Sequence, residues 1–120
     1  MNKDKITIDG RDYIPADSAP APQAELDGLP YVVIRSANSG AHAGYMVRRD
    51  GGEVELTAAR RLWYWSGAAS LSQLALEGVK NPDECKFPPP INITVLGVCE
   101  VIEGSEAARD SIEGVEPWRQ

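Results

Sequence analysis

The sequence predicts an α+β domain: an antiparallel β-sheet with two short helices, preceded by an N-terminal β-hairpin and a proline-rich linker. Three observations carry this. Runs of β-branched and aromatic residues broken by glycine-containing turns recur from Tyr31 to Leu56. Serine caps open two short helical segments at Ser70 and Ser105. Four prolines crowd the stretch between Pro15 and Pro30, where apolar content is low. A chain of 120 residues has room for one core, so the expected organisation is a hairpin and linker over residues 1–30 and a single α+β ligand-binding domain over residues 31–120.

Taken in order, KITIDGRDYI alternates apolar and polar residues around Asp9-Gly10, a strong short hairpin signal. Such a hairpin is either an arm that adds to a neighbour's sheet or a loosely held tail. YVVIRS from Tyr31 and HAGYMVRR from His42 read as paired strands across the small loop Ala37 to Ala41. The turn Asp50-Gly51-Gly52 leads into EVEL, whose alternation gives one buried and one wet face. Aromatic content favours a strand over Ala58 to Trp65, with Trp63 and Trp65 on one face. Ser70 with Gln73 forms a capping box, Gly78 closes that helix, and Leu71, Leu74 and Ala75 make its inner side. Asn81-Pro82 is a turn, and Pro88-Pro89-Pro90 stiffens the chain beside Phe87. INITVLGVCEVIE is a long strand candidate bent at Gly97, and Ser105 to Ile112 is the final helix, ended by Gly114.

Composition narrows the function. A hydrophobic content of 42% with 25% charged residues belongs to a soluble globular protein, without a bilayer-length apolar run or the apolar core of a signal peptide, so a cytoplasmic location is expected. A net charge of -6 argues against general affinity for DNA or RNA. The charge is uneven, though. Arg35, Arg48, Arg49, Arg60 and Arg61 dominate the middle, while acidic residues crowd the end around Arg109, a pattern that suits a small anionic guest better than a polymer. Cys85 and Cys99 offer neither a disulfide framework nor zinc spacing and are expected as small buried apolar residues. The single histidine, His42, lies between alanines without a second metal ligand at useful spacing. Neither a nucleophile elbow nor a phosphate-cradling glycine loop is present. The expectation is a protein that is not an enzyme and holds neither cofactor nor metal.

Binding is the stronger reading. In ARRLWYWSG, Arg60 and Arg61 stand directly before Trp63, Tyr64 and Trp65, an arrangement that can stack a base and hold its phosphate. The plainer alternative is two buried indoles beside ordinary surface charge. A nucleotide needs planar donors for phosphate, a flat face for the base, and polar groups for the base edge or ribose. Arg35, Arg61 and Arg109 suit the first need, Phe87 or Trp63 the second, and Asn92 the third. Each has a plainer role as well: strand-end decoration for Arg35, a helix pair with Glu106 or Glu113 for Arg109, and a turn for Asn92.

The run ARRLWYWSGAASLSQLALEGVKNPDECKF, with YVVIRSANSGAHAGY before it and ARDSIEGVEPW after it, resembles small phage proteins of the first-described Thoeris anti-defence family over Tyr31 to Trp118. The resemblance implies a sponge in the cytoplasm of the infected host. Members of that family sequester the cyclic ADP-ribose signal of bacterial TIR-domain defence enzymes without cleaving it, and some hold cyclic oligonucleotides in a second kind of pocket. It also implies homodimers that associate into hexamers. Phe87, Asn92 and Arg109 match best as ligand-binding positions, with Arg35 and Arg61 behind them. Tight capture without turnover agrees with stacking rings and bidentate guanidinium groups in place of a general base, and two subunits sharing a pocket would give a locally positive site on an acidic chain. The rival reading from a different class is a phage structural or assembly protein making protein contacts only.

Overall fold

The computed structural model describes residues 6–8, 11–13 and 22–120. Ile6–Ile8 (β1) and Arg11–Tyr13 (β2) pair antiparallel with each other. The Asp9-Gly10 turn and most of the proline linker lie outside the described residues. The domain then runs β3 (Glu25–Leu26), β4 (Leu29–Ser36), β5 (Gly40–Asp50), β6 (Glu53–Arg61), α1 (Leu71–Glu77), β7 (Ile91–Val95), β8 (Val98–Glu103) and α2 (Glu106–Glu113). It is a mostly antiparallel sheet with two short helices, the expected class.

The domain begins earlier than Tyr31. Ala24 is buried, its N–H donates to the Gly104 carbonyl at 2.8 Å, and β3 pairs with the start of β4. The last residues of the expected linker therefore fold as part of the sheet. One alanine with its backbone donor and acceptor both satisfied is enough to dock them.

Strand order explains why the run Tyr31 to Ile34 is apolar without alternation. β4 lies between β5 and β8, while β6 pairs with β5 and β7 with β6. In a flat sheet β7 and β8 would stand four strand spacings apart, roughly 19 Å. Yet only Leu96 and Gly97 join them, and three Cα steps reach at most about 11 Å. The sheet must roll. Register shifts in β5 near Gly44 and Val47 and in β6 near Ala58 supply the bends. The Val98 N–H donates to the Gly52 carbonyl, and the Ser36 hydroxyl to the Leu96 carbonyl, each at 2.8 Å, fastening the seam.

Rolling gives the sheet an inside and an outside, both covered. Val32, Ile34, Val54, Leu56, Ala59 and Val95 fill the inside. On the outer face Tyr31, Val33, Ala43 and Tyr45 meet Leu74, Ala75, Phe87 and Ile112 from the helical side, with the Tyr31 and Tyr45 rings edge-on at 5.0 Å. A strand buried on both faces reads as a continuous apolar run.

Both helices form where their caps place them. Ser70 accepts from the Gln73 N–H at 3.1 Å, and the Gln73 side chain accepts from the Ala69 N–H at 2.8 Å, one residue before the expected donor. Ser105 accepts from the Ala108 N–H at 3.0 Å. Gly78 ends α1 at φ 79, and a Cβ there would fall inside the Ser111 side chain, so two independent reasons require glycine. Gly78→Ala is expected to cost about 2 kcal/mol or more in chemical denaturation; a loss under about 0.5 kcal/mol would mean the α1 to α2 contact is looser than described.

The expected single strand from Ile91 divides into β7 and β8, because Leu96-Gly97, with Gly97 at φ 70, turns the chain onto a different neighbour. The expected strand over Ala58 to Trp65 ends at Arg61. Trp63 to Trp65 leave the ladder, with only Tyr64 bridging to Lys86. The two indoles consequently do not share a buried face: Trp63 is 66% exposed and Trp65 half-buried.

Candidate functional site

Two concavities meet at the end of the sheet where β4 turns into β5. The larger, about 700 Å³, lies between Arg35, Ser36 and Ala37 on one side and Leu62, Trp65 and Leu71 on the other, with Cys99 at its rim. The smaller, about 340 Å³, lies between Asn38 and Ser39 on one side and Arg61 and Trp63 on the other. Each holds one guanidinium and one indole.

The local sequence produces this arrangement directly. β6 delivers Arg61 opposite His42 in the β5 ladder. The chain then leaves the sheet, so Leu62 tucks into the core while Trp63 and Trp65 fall on either side of it. The Leu62 N–H still donates to the Ala41 carbonyl at 2.9 Å, which fixes the exit point. Arg61 donates to the Ser39 carbonyl at 3.3 Å and has no carboxylate partner among the described residues. Arg35, cross-strand from Glu100, pairs with it through Nε at 3.1 Å. Both partners are well exposed, so this pair is weak and exchangeable.

Of the six positions singled out from sequence, Arg35, Arg61 and Trp63 come together here. The other three do not. Phe87 is fully buried between the sheet and α2, 5.8 Å from the Arg60 guanidinium, and presents no face to either concavity. The proline run that stiffens it places it in the core; Phe87→Ala is expected to cost about 3–5 kcal/mol of stability, read as a fall in the denaturation midpoint, and not to act on binding alone. Asn92 accepts from the Thr57 hydroxyl at 2.7 Å and the Ala58 N–H at 3.3 Å, stitching β7 to the bulge in β6 where Ala58 sits at φ 52. Arg109 donates to Asp110 at 3.0 Å and to the Glu25 carbonyl at 3.4 Å, holding α2 against β3. Neither Glu106 nor Glu113 is its partner; Glu113 accepts from the Tyr45 hydroxyl at 3.0 Å.

Trp65, Leu71 and Asn38 belong to the concavities and were not singled out as site residues. For Trp65 the signal was present in the two-residue spacing from Trp63. Cys85 is buried, as expected, but Cys99 is exposed on β8, where its Sγ lies 3.3 Å from the Arg35 carbonyl; it is the extra residue at the register shift between the Arg35–Glu100 and Ser36–Val98 pairs, which takes it out of the alternation. His42 is fully enclosed inside the rolled sheet, and neither ring nitrogen has a hydrogen-bond partner among the described residues. Burial, with Arg61 adding to it, pulls its pKa down to about 4, so the ring is neutral at pH 7. Among the described residues there is no trio of His, Cys, Asp or Glu side chains placed to hold a metal, and no helix long and apolar enough to cross a membrane.

The rolled antiparallel sheet, its two outer helices and its arginine- and indole-lined end define a small α+β domain with a concave site at one end of the sheet. By sequence the chain belongs to the family described as a domain of unknown function, DUF6948, which matches residues 29–112, from β4 through most of α2. Neither a curated protein nor a solved structure matches it.

Proposed function

We propose that this protein is a phage anti-defence sponge: it captures a small anionic signal of the cyclic ADP-ribose type, with cyclic oligonucleotides as a second class of guest, and leaves it chemically unchanged. One observation carries the reading most: each of the two adjoining concavities pairs a guanidinium with an indole, Arg35 with Trp65 and Arg61 with Trp63. A guanidinium holds a phosphate edge-on while an aromatic ring takes a base on its face. The larger volume, about 700 Å³, is within the range of pockets for small ligands. The resemblance of the central motif to Thoeris anti-defence proteins supports the same ligand chemistry. It also supports a cytoplasmic site of action in the infected host and assembly of copies of this chain into dimers and hexamers.

Isothermal calorimetry with cyclic ADP-ribose, its glycocyclic isomer and cyclic dinucleotides tests this. At least one is expected to bind, and Arg35→Ala or Arg61→Ala is expected to weaken it by about tenfold or more, as for loss of a charge-assisted contact. Heat from none of them would overturn the proposal. It would favour an assembly protein instead, in which the exposed Trp63 and Tyr64 make protein contacts.

A further inference from the structure

The two concavities are separated by a thin partition. Gly40, Ala41 and Leu62 line both of them. Strand register fixes where the two guanidinium groups rise on either side. Arg35 is the cross-strand partner of Ala41, and Arg61 is the partner of His42. Their Cα atoms therefore stand on the order of 10 Å apart, two strand spacings. Because Ala41 and His42 are consecutive, alternation sends Arg35 to the helix side of the sheet and Arg61 to the other.

The partition ends at Gly40. That residue is exposed at φ 76, and a Cβ built on it meets no atom within 4 Å. No side chain raises the edge, so the larger concavity opens into the smaller one around the bare backbone. The donors on either side are available: Arg61 has no carboxylate partner among the described residues, and Arg35 is held through Nε only.

We infer that one guest occupies both concavities: a molecule with two anionic groups and a flat ring for each, passing over Gly40, with Arg35 and Arg61 each taking one anion. This rests on the proposed capture of anionic nucleotides and adds which guests are selected and by what. A single exposed arginine contact is weak. Two such contacts on one guest act together, because once the first half is bound the second is presented at high effective concentration. Gly40 then becomes a specificity-determining position, since a side chain there stands in the path of a guest that crosses.

Calorimetry of the full chain with AMP and with the linear dinucleotide pApA reads this out. The expected result is one pApA per chain, bound on the order of 100-fold more tightly than AMP. Arg35→Ala, Arg61→Ala and Gly40→Asn should each bring pApA down to within a few-fold of AMP. Asparagine tolerates the left-handed backbone found here, and thermal unfolding checks that each variant folds; should Gly40→Asn not fold, the two arginine variants decide. Two pApA molecules per chain, affinity equal to that of AMP, or no loss in the arginine variants would overturn the inference. Binding of cyclic ADP-ribose with neither probe bound would overturn it while leaving the capture proposal standing, and binding of nothing would overturn both.

Discussion

Replacing Arg60 by methionine is expected to remove about 3 kcal/mol or more of stability, one of the two largest effects foreseen for this protein. The Arg60 side chain is 2% exposed, and it donates to three backbone carbonyls: Pro88 at 2.8 Å, Phe87 at 2.8 Å and Ile112 at 3.0 Å. These belong to the proline segment and to the last turn of α2, so one guanidinium fastens both to β6. Deleting it leaves buried acceptors without a donor, each costing about 1–3 kcal/mol. Some of that is offset, because methionine also removes a buried charge that has no carboxylate partner among the described residues; burial already pulls the Arg60 pKa down. The helix end tempers that cost, since a cation is favoured beside the last carbonyls of a helix. Arg60→Lys should recover only part of the loss, because an ammonium cannot present three donors in the fork that these carbonyls match. Urea denaturation of both variants measures this, and a loss below about 1 kcal/mol for Arg60→Met would show that water reaches and satisfies the carbonyls.

Acid should weaken the fold through His42. In the unfolded chain its imidazole takes a proton near the ordinary value of 6.5, while in the folded protein burial and the nearby Arg61 hold it down to about 4. The folded state thus resists a proton that the unfolded state accepts. Stability from this group is fully present above about pH 6.5 and is lost as pH falls toward about 4, by roughly 3 kcal/mol in all. Carboxylates titrate at the lower end of the same window, so the comparison that isolates His42 is the pH dependence of wild type against His42→Leu. The variant should show a flatter profile between pH 6.5 and 4. It should also lose little at pH 7, because the ring it replaces has no hydrogen-bond partner among the described residues. Parallel profiles would show that the ring accepts a proton in the folded state as easily as in water.

What could be read from the sequence was local, and what could not was brought about by distant partners. Ser70, Gly78 and Ser105 mark helix ends by their own chemistry, and each sits where that chemistry is used; Gly114 follows α2 at φ -78, an ordinary helical backbone that makes no use of glycine's left-handed freedom. The Asp50-Gly51-Gly52 turn likewise closes β5 onto β6. The run after Ala58 misled because aromatic residues favour strands in general, whereas here Leu62 is drawn into the core and pulls the chain off the ladder. Nothing local distinguishes Arg60 from Arg61. One is enclosed by carbonyls from residues 87, 88 and 112, and the other lines a concavity. Phe87 and Asn92 show the same limit: an aromatic ring and an amide suit a ligand as well as they suit a core and a β-bulge, and only tertiary contacts decide. Arg35, Arg61 and Trp63 were legible as candidates because their bulk and charge remain at a surface end of the sheet.

Recovery of ligand from the protein tests the central claim most directly. The purified protein is loaded with glycocyclic or ordinary cyclic ADP-ribose, dialysed, and then heated to unfold it, and the released material is resolved by chromatography. Capture without chemistry predicts that the loaded cyclic molecule returns intact and in proportion to protein, with little retained by Arg35→Ala or Arg61→Ala. Release of a cleaved or rearranged product, or retention by both variants equal to wild type, would contradict it.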